Sequence, residues 1–478
     1  MPHRDKECRT ESKTFSQDLV AVINGLLSKV DFSDIRFRDD CAWAPRGLVT
    51  VALVWAWSSK VALKDRFSQA MRIARELSER VAPAKTSYQA FMKLLVRWTP
   101  KLRERLVCAF QSLMERQFPE LFRLAGYLVL AADGSKLKLA RTQSNERQYS
   151  PGARGKKGKK RRRADRARRR ARSLSAQRQQ AREKKADSPQ MAFTLLYHVM
   201  LRLPWEWRLG PSDVSERAHL REMIAGLPAD ALVVADAGFF GYDFWSELLS
   251  SGREFVIRVG GNVRLLRKLG IVAESYGTIY LWPDSSAKRQ APPLVLRLVT
   301  VHDGRKPWYL VTSVQNPKRL SDRQVGEIYR RRWRIELFFR HFKQTFGRAK
   351  LRSHKAEHCE CEAQWSLLGL WAMLLHALIQ RQKENADLGS LSVARVLRAF
   401  AQAIDEYKCR PERGESLKQQ LLVAVIDHYR RRNKTSRSHP RKKYETDAQP
   451  PKISIATRSQ RKLARQLISR RPQKRLTA

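Results

Sequence analysis

The 478-residue sequence is poor in cysteine and in acids, and it has no apolar run long enough to cross a membrane. Its six cysteines are scattered at 8, 41, 108, 359, 361 and 409. His354, His358, Cys359 and Cys361 lie close together, but Cys-x-Cys lacks the two-residue gap of zinc sites and no second cysteine pair exists, so zinc is not expected there. The polar start, Met-Pro-His-Arg-Asp-Lys-Glu, carries no apolar segment of the secretory kind, and the protein is expected in the cytoplasm. The most apolar helical window, Trp365–Ile379, falls short of the roughly 18 residues a span needs and contains His376, which marks it as core. Acids number 46 against 95 Lys and Arg, leaving a formal charge of +49. A surface so charged repels itself and attracts a polyanion with release of counterions, which makes nucleic acid the expected partner. A membrane surface is not expected, because the basic runs are not interleaved with an apolar face. With 42% hydrophobic residues and 12 tryptophans the chain should fold, and its length allows about three domains.

Against that background one stretch stands out, Tyr329-Arg-Arg-Arg332-Trp-Arg-Ile-Glu336-Leu-Phe-Phe-Arg-His-Phe-Lys343. At 100° per residue, Tyr329, Arg332, Glu336 and Lys343 share an arc of about 60° on a helix. Ile328, Ile335, Phe339, Phe342 and Phe346 fall on the neighbouring face, which can be buried while the polar quartet looks into a cleft. Ser321 with Gln324 reads as a capping box and Gly347 as a stop. Two apolar runs end in acids, Tyr127-Leu-Val-Leu-Ala-Ala-Asp133 and Ala231-Leu-Val-Val-Ala-Asp236, each read as a buried strand with a carboxylate at its C-terminal end. Singly, Asp133-Gly134 reads as a turn and Asp236 as a helix N-cap. Jointly, three carboxylates on buried elements of a basic protein are what two Mg²⁺ ions need to act on a phosphodiester.

The rest of the chain frames these residues. Residues 1–125 read as helical, with amphipathic stretches at 48–57, 62–81 and 87–117, and charge and position suggest a domain that binds DNA ends, although no helix-turn-helix spacing appears. Residues 126–260 read as the first part of the core, interrupted by a tract at 154–185 dominated by Arg, Lys, Ala and Gln that has nothing to bury and reads as a linker or as an arm along phosphates. Within that part, 191–200 and 205–210 read as a hairpin around Pro204, followed by a helix at 215–226, the strand ending at Asp236, a helix at 242–250 and a strand at 254–259. Three strands, helix, strand, helix, strand is the order of a ribonuclease-H-like core. Alternating segments at 278–282, 294–301 and 308–312 suggest an inserted β-subdomain over 261–320, with the core resuming at 321–405 and a basic tail at 406–478 that is disordered or DNA-associated from about residue 430. The fold class is therefore α/β: a ribonuclease-H-like mixed sheet with flanking helices, a β-rich insertion, and helical terminal regions.

The spacing Tyr329-x2-Arg332-x3-Glu336-x6-Lys343, together with Asp133-Gly-Ser and Asp236-x-Gly-Phe-Phe, resembles the DDE transposases of bacterial insertion sequences, in particular the cut-and-paste group with the tyrosine–arginine–glutamate–lysine signature and a β-rich insertion before the catalytic glutamate. The resemblance covers roughly residues 125–380; the long tract after Asp133 exceeds the usual connection. It implies that Asp133, Asp236 and Glu336 hold two Mg²⁺ ions, with Mn²⁺ as a substitute. It implies that Arg332 and Lys343 clamp phosphates, that Tyr329 donates a hydrogen bond to one, and that Trp308, 28 residues before Glu336, stacks on a flipped base during hairpin formation. The partners implied are the element's double-stranded ends and target DNA, bound by a homodimer at paired ends. Other readings remain open at the level of sequence: a ribonuclease-H-like nuclease or resolvase without strand transfer, a non-catalytic DNA-binding derivative, or a basic structural protein of a nucleoprotein particle. Trp308 equally reads as a half-buried strand aromatic.

Overall fold

A computed structural model of the chain describes residues 15–77, 83, 86–150, 188–275, 277–302, 307–407, 416–426 and 449–469. The basic tract at 154–185 and most of the tail beyond 426 lie outside the described residues.

The ten described strands form one sheet. They are β1 (Leu128–Lys138), β2 (Gln190–His198), β3 (Leu203–Pro211), β4 (Ala231–Ala235), β5 (Glu254–Val259), β6 (Arg264–Arg267), β7 (Thr278–Leu281), β8 (Leu294–His302), β9 (Pro307–Thr312) and β10 (Lys452–Ile455), in the order β10-β6-β7-β8-β9-β5-β4-β1-β2-β3. The block β3-β2-β1-β4-β5, with β1, β2 and β3 antiparallel and β4 and β5 parallel to β1, is the ribonuclease-H-like arrangement. β4 is apolar and buried at every position, as a central parallel strand covered on both faces must be. The strands of the 261–320 stretch do not form a separate sheet: β9 pairs antiparallel with β5, so the insertion prolongs the core sheet edge to edge.

Three local expectations shift. The hairpin turn lies at 199–202, where Arg202 takes φ +58°, and Pro204 sits inside β3. β1 does not stop at Asp133 but continues to Lys138, since β2 keeps pairing with it after β4 has ended. Part of the tail, 449–469, folds into β10, parallel to β6, and a helix at Arg458–Ser469.

Helices cover the sheet and extend the core. Phe15–Leu27, Pro45–Trp57, Leu63–Leu77 and Tyr88–Gln117 make up the N-terminal part, and the last runs through Pro100 without ending. The Ala356–Lys383 helix, buried along most of its length, packs between these helices and β3. Trp57 Nε1 donates to the Gly369 carbonyl at 2.9 Å and Trp365 Nε1 to Thr99 Oγ1 at 2.8 Å, so the N-terminal helices and the sheet share one continuous core. Among the described residues no helix is long and apolar enough to cross a membrane.

Candidate active site

Register brings the two aspartates together. β1 pairs parallel with β4 through Ala132↔Ala235, so the next residues along the two strands are Asp133 and Asp236. Asp236 leaves the sheet at that point and caps the short turn Ala237–Phe239, its Oδ1 accepting from Gly238 N–H at 2.8 Å. Asp133 Oδ1 accepts from Gly134 N–H at 2.8 Å, leaving Oδ2 toward the helix that carries the signature.

That helix is not continuous. Ser321 and Gln324 form the capping box, with Gln324 N–H on Ser321 Oγ and Ser321 N–H on Gln324 Oε1, and start the helix Asp322–Arg331. At Arg332 and Trp333 the hydrogen bonds tighten to three-residue steps, Arg332 N–H to Tyr329 O and Ile335 N–H to Arg332 O, both 3.1 Å, before the helix Arg334–Arg340 begins. His341–Thr345 then widens into a π-turn, and the segment ends before Gly347 at φ +70°. The tight step and the wide one bracket Glu336, so the four polar residues do not lie on one ideal helix face; they are brought together around the aspartates by a segment whose pitch changes twice.

Arg332 stands at the centre. It is 9% exposed, its Nη2 donates to Glu336 Oε1 at 3.1 Å, and its Nη1 lies 3.7 Å from Asp133 Oδ2. One guanidinium thus bridges two of the three carboxylates. Lys343 Nζ donates to Ser135 Oγ, two residues beyond Asp133 on β1. Tyr329 is buried with its ring 5.5 Å from the Arg332 guanidinium, and Trp308 packs edge-on against it at 5.9 Å. Trp308 is half-buried between Tyr329 and Arg330, whose guanidinium lies 6.0 Å from its ring, and it keeps an accessible surface near the site. Burial pushes the Asp133 carboxyl up to about 6; the negative charges of Asp236 and Glu216 add to this, and Gly134 N–H and Arg332 oppose it. Burial also draws the Lys343 ammonium down, helped by nearby Lys138, and pushes the Tyr329 phenol up against the opposing pull of Arg332.

Glu216 is the acid that the sequence reading missed. It begins the Glu216–Ile224 helix, capped by Ser215, where an acid is unremarkable because it suits the helix dipole. In the fold its carboxylate lies against Gly134, in space that a side chain at that position would fill, and its carboxyl is pushed up by burial and by the charge of Asp236. The glycine after Asp133 is therefore what lets a fourth carboxylate approach.

The set is made of hard oxygen donors, the type Mg²⁺ prefers, and the Arg332 guanidinium already holds the place of a cation between Asp133 and Glu336. Among the described residues no three His, Cys, Asp or Glu side chains converge on one point, which Mg²⁺ does not require, since it is commonly held by one or two carboxylates with water and substrate phosphates. Cys359 and Cys361 lie elsewhere, buried on the Ala356–Lys383 helix with thiols pushed up to about 12 by burial.

Residues 124–372, just over half of the chain and including every residue of the site, match the family described as transposase DDE domain. The chain belongs to this family. Transposase InsG for insertion sequence element IS4 of Escherichia coli K12 is 29% identical over 182 residues, which make up 36% of this chain and 40% of that relative. The chain thus matches well under half the length of the curated relative. A solved piggyBac transposase synaptic complex with hairpin DNA covers 91% of this DDE-domain chain, and 90% of its own, at 11% identity and a TM-score of 0.35, a likeness too low to build on.

Proposed function

We propose that the protein is a DNA transposase that binds the ends of its mobile element as a homodimer, cleaves phosphodiester bonds there, and joins the freed 3′-hydroxyls to target DNA by a cut-and-paste route through a hairpin. The observation that carries this reading is the Arg332 guanidinium shared between Asp133 and Glu336, with Asp236 beside Asp133, inside a matched transposase DDE domain. Asp133, Asp236 and Glu336 would hold two Mg²⁺ ions, or Mn²⁺ in their place, which when bound activate the attacking hydroxyl and stabilise the leaving oxygen.

The chain's own groups do the rest. Arg332, released from the carboxylates, would take a phosphate next to the cut, and Lys343, held over Ser135, would take another; their contacts with Asp133 and Ser135 support this. Tyr329 positions Arg332 through its ring and would donate a hydrogen bond to the same backbone. Trp308, propped between Tyr329 and Arg330, offers the aromatic surface on which a base displaced at the hairpin would stack. No covalent intermediate with the protein is needed. The N-terminal helices would hold the element end.

The test is nicking of a labelled element end in Mg²⁺. Asp133→Asn, Asp236→Asn and Glu336→Gln should each lower nicking by several orders of magnitude while leaving DNA affinity within a few-fold, because each removes a metal charge and no phosphate contact. Near-normal Mg²⁺-dependent nicking in any one variant would remove that residue from the site. A nuclease or resolvase would nick but yield neither hairpin nor strand-transfer product.

A further inference from the structure

The C-terminal segment that folds back on the insertion creates a surface outside the catalytic cleft. β10 adds to the sheet edge parallel to β6 with Lys452 beside Arg264 and Ile455 beside Arg267, and the Arg458–Ser469 helix follows at once. Residues 449–469 contribute Lys452, Arg458, Arg461, Lys462 and Arg465 and not one acid. β6 and the turn after it add exposed Arg264, Arg267 and Lys268, and Arg465 reaches over that turn, its Nη2 3.4 Å from where a Gly270 side chain would begin.

Neighbouring strands lie about 4.8 Å apart, so Lys452 and Arg264 place like charges side by side at a cost in stability. Elsewhere on the protein surface, arginines meet acids: Arg123 pairs with Asp230 and Glu115, Arg221 with Glu247, Arg289 with Asp243. None of the eight cations here forms an ion pair with a described acid, and Arg461 Nε is buried without a partner. The charge rules out a second copy of the same surface, which would repel it. The helix spends Ala464 and Leu467 on packing; the exposed large apolar side chains of this surface are Leu463 on the helix and Ile453 and Ile455 on β10, three against eight cations and not gathered on one helix face as an interfacial helix needs.

We propose that β6, β10 and the Arg458–Ser469 helix form a second DNA-binding surface, which grips duplex backbone away from the cut. This rests on the transposase reading only for the identity of the polyanion. Six strand steps separate β10 from β4, about 30 Å along the sheet or roughly 8–9 base pairs of duplex, so DNA running from the site toward this edge would reach the surface nearly one turn away.

The experiment measures affinity for a random 30-base-pair duplex against salt, for the full chain and for Lys452→Ala/Arg458→Ala/Lys462→Ala/Arg465→Ala. All four side chains are exposed, and unchanged circular dichroism and melting temperature verify the fold. The slope of log affinity against log salt should become shallower by about 2–4, at roughly 0.9 per lost phosphate contact, while Arg↔Lys exchanges at the same positions keep it, because a backbone contact needs charge and not a fork. An unchanged slope in the alanine variant overturns the proposal, as does loss of the exchanged variants' slope. Binding of the full chain to phosphatidylserine vesicles that is abolished by the substitutions, with the DNA slope intact, would make this a membrane surface instead. If the full chain nicks an element end and only the slope prediction fails, the transposase reading stands; if the full chain binds no duplex at all, both fail.

Discussion

At the scale of single residues, the balance of charge around Asp133 makes a prediction that needs no DNA. Its folded carboxyl is raised to about 6 from an ordinary value near 3.8, so ionising it costs stability. Stability held below about pH 4 is therefore lost as pH rises through 6, about 3 kcal/mol at one pH unit per 1.36 kcal/mol. Asp133→Asn, measured without divalent ions, should melt higher than the parent at pH 7–8, with the gap closing as pH falls toward 4. A gap independent of pH would mean that the carboxyl is not raised. Glu216 and Gly134 form a second case. Gly134→Ala would meet the Glu216 side chain from its carboxylate back to Cγ, which lies 2.5 Å from where the methyl would sit, so the whole outer side chain must move and stability should fall by about 1–3 kcal/mol. Glu216→Gln should weaken Mg²⁺ stabilisation of the folded chain several-fold, read from melting temperature against Mg²⁺ concentration, if the fourth carboxylate adds to the negative potential of the site. Equal Mg²⁺ titrations of parent and variant would assign Glu216 to packing alone.

At the scale of elements, the signature segment shows how far pattern reading reaches. The capping box and the Gly347 stop were legible because each depends on residues within one turn. The tight step at Arg332 was not, because no local pattern marks where the three-residue hydrogen bonds set in; at that step Tyr329 meets Trp308 and Arg332 meets Asp133, contacts with distant strands that only the fold supplies. Ser321→Ala removes the cap and should lower stability by about 1 kcal/mol in chemical denaturation, with nicking reduced more steeply than folding because the helix it starts delivers Arg332. Trp308→Ala separates the two roles of that ring: a base-stacking tryptophan spares the first nick and reduces hairpin yield on a pre-nicked end, whereas one that only props Tyr329 and Arg330 reduces both together.

At the scale of the whole molecule, the N-terminal helices and the sheet share one buried core through the Ala356–Lys383 helix. Gly369 is a tight point of that union: a methyl there would meet Ala56 Cβ at 2.9 Å and the Trp57 indole at 3.2 Å. Gly369→Ala should cost roughly 1–3 kcal/mol of overpacking and lower one single melting transition. Two separate transitions would show that the N-terminal helices fold independently, which the shared core argues against. The same packing joins the N-terminal helices, through the Ala356–Lys383 helix, to β3 and the sheet that bears the aspartates.

The acids, the signature and the order of strands and helices were legible in the sequence, because period-2 and period-3.6 patterns and capping residues are local. Asp133, Asp236 and Glu336 could be named from apolar runs that end in acids and from one amphipathic stretch. What only the tertiary structure decided depends on register between distant strands: Asp133 meeting Asp236 one step past Ala132↔Ala235, Glu216 reaching Gly134, the insertion joining β5 through β9, and β10 closing on β6. A strand's side-chain pattern repeats every two residues and fixes which face is buried, but it does not choose the partner strand. That choice is made by the packing of the whole core, and it is what sets Asp236 beside Asp133 and Glu216 against Gly134.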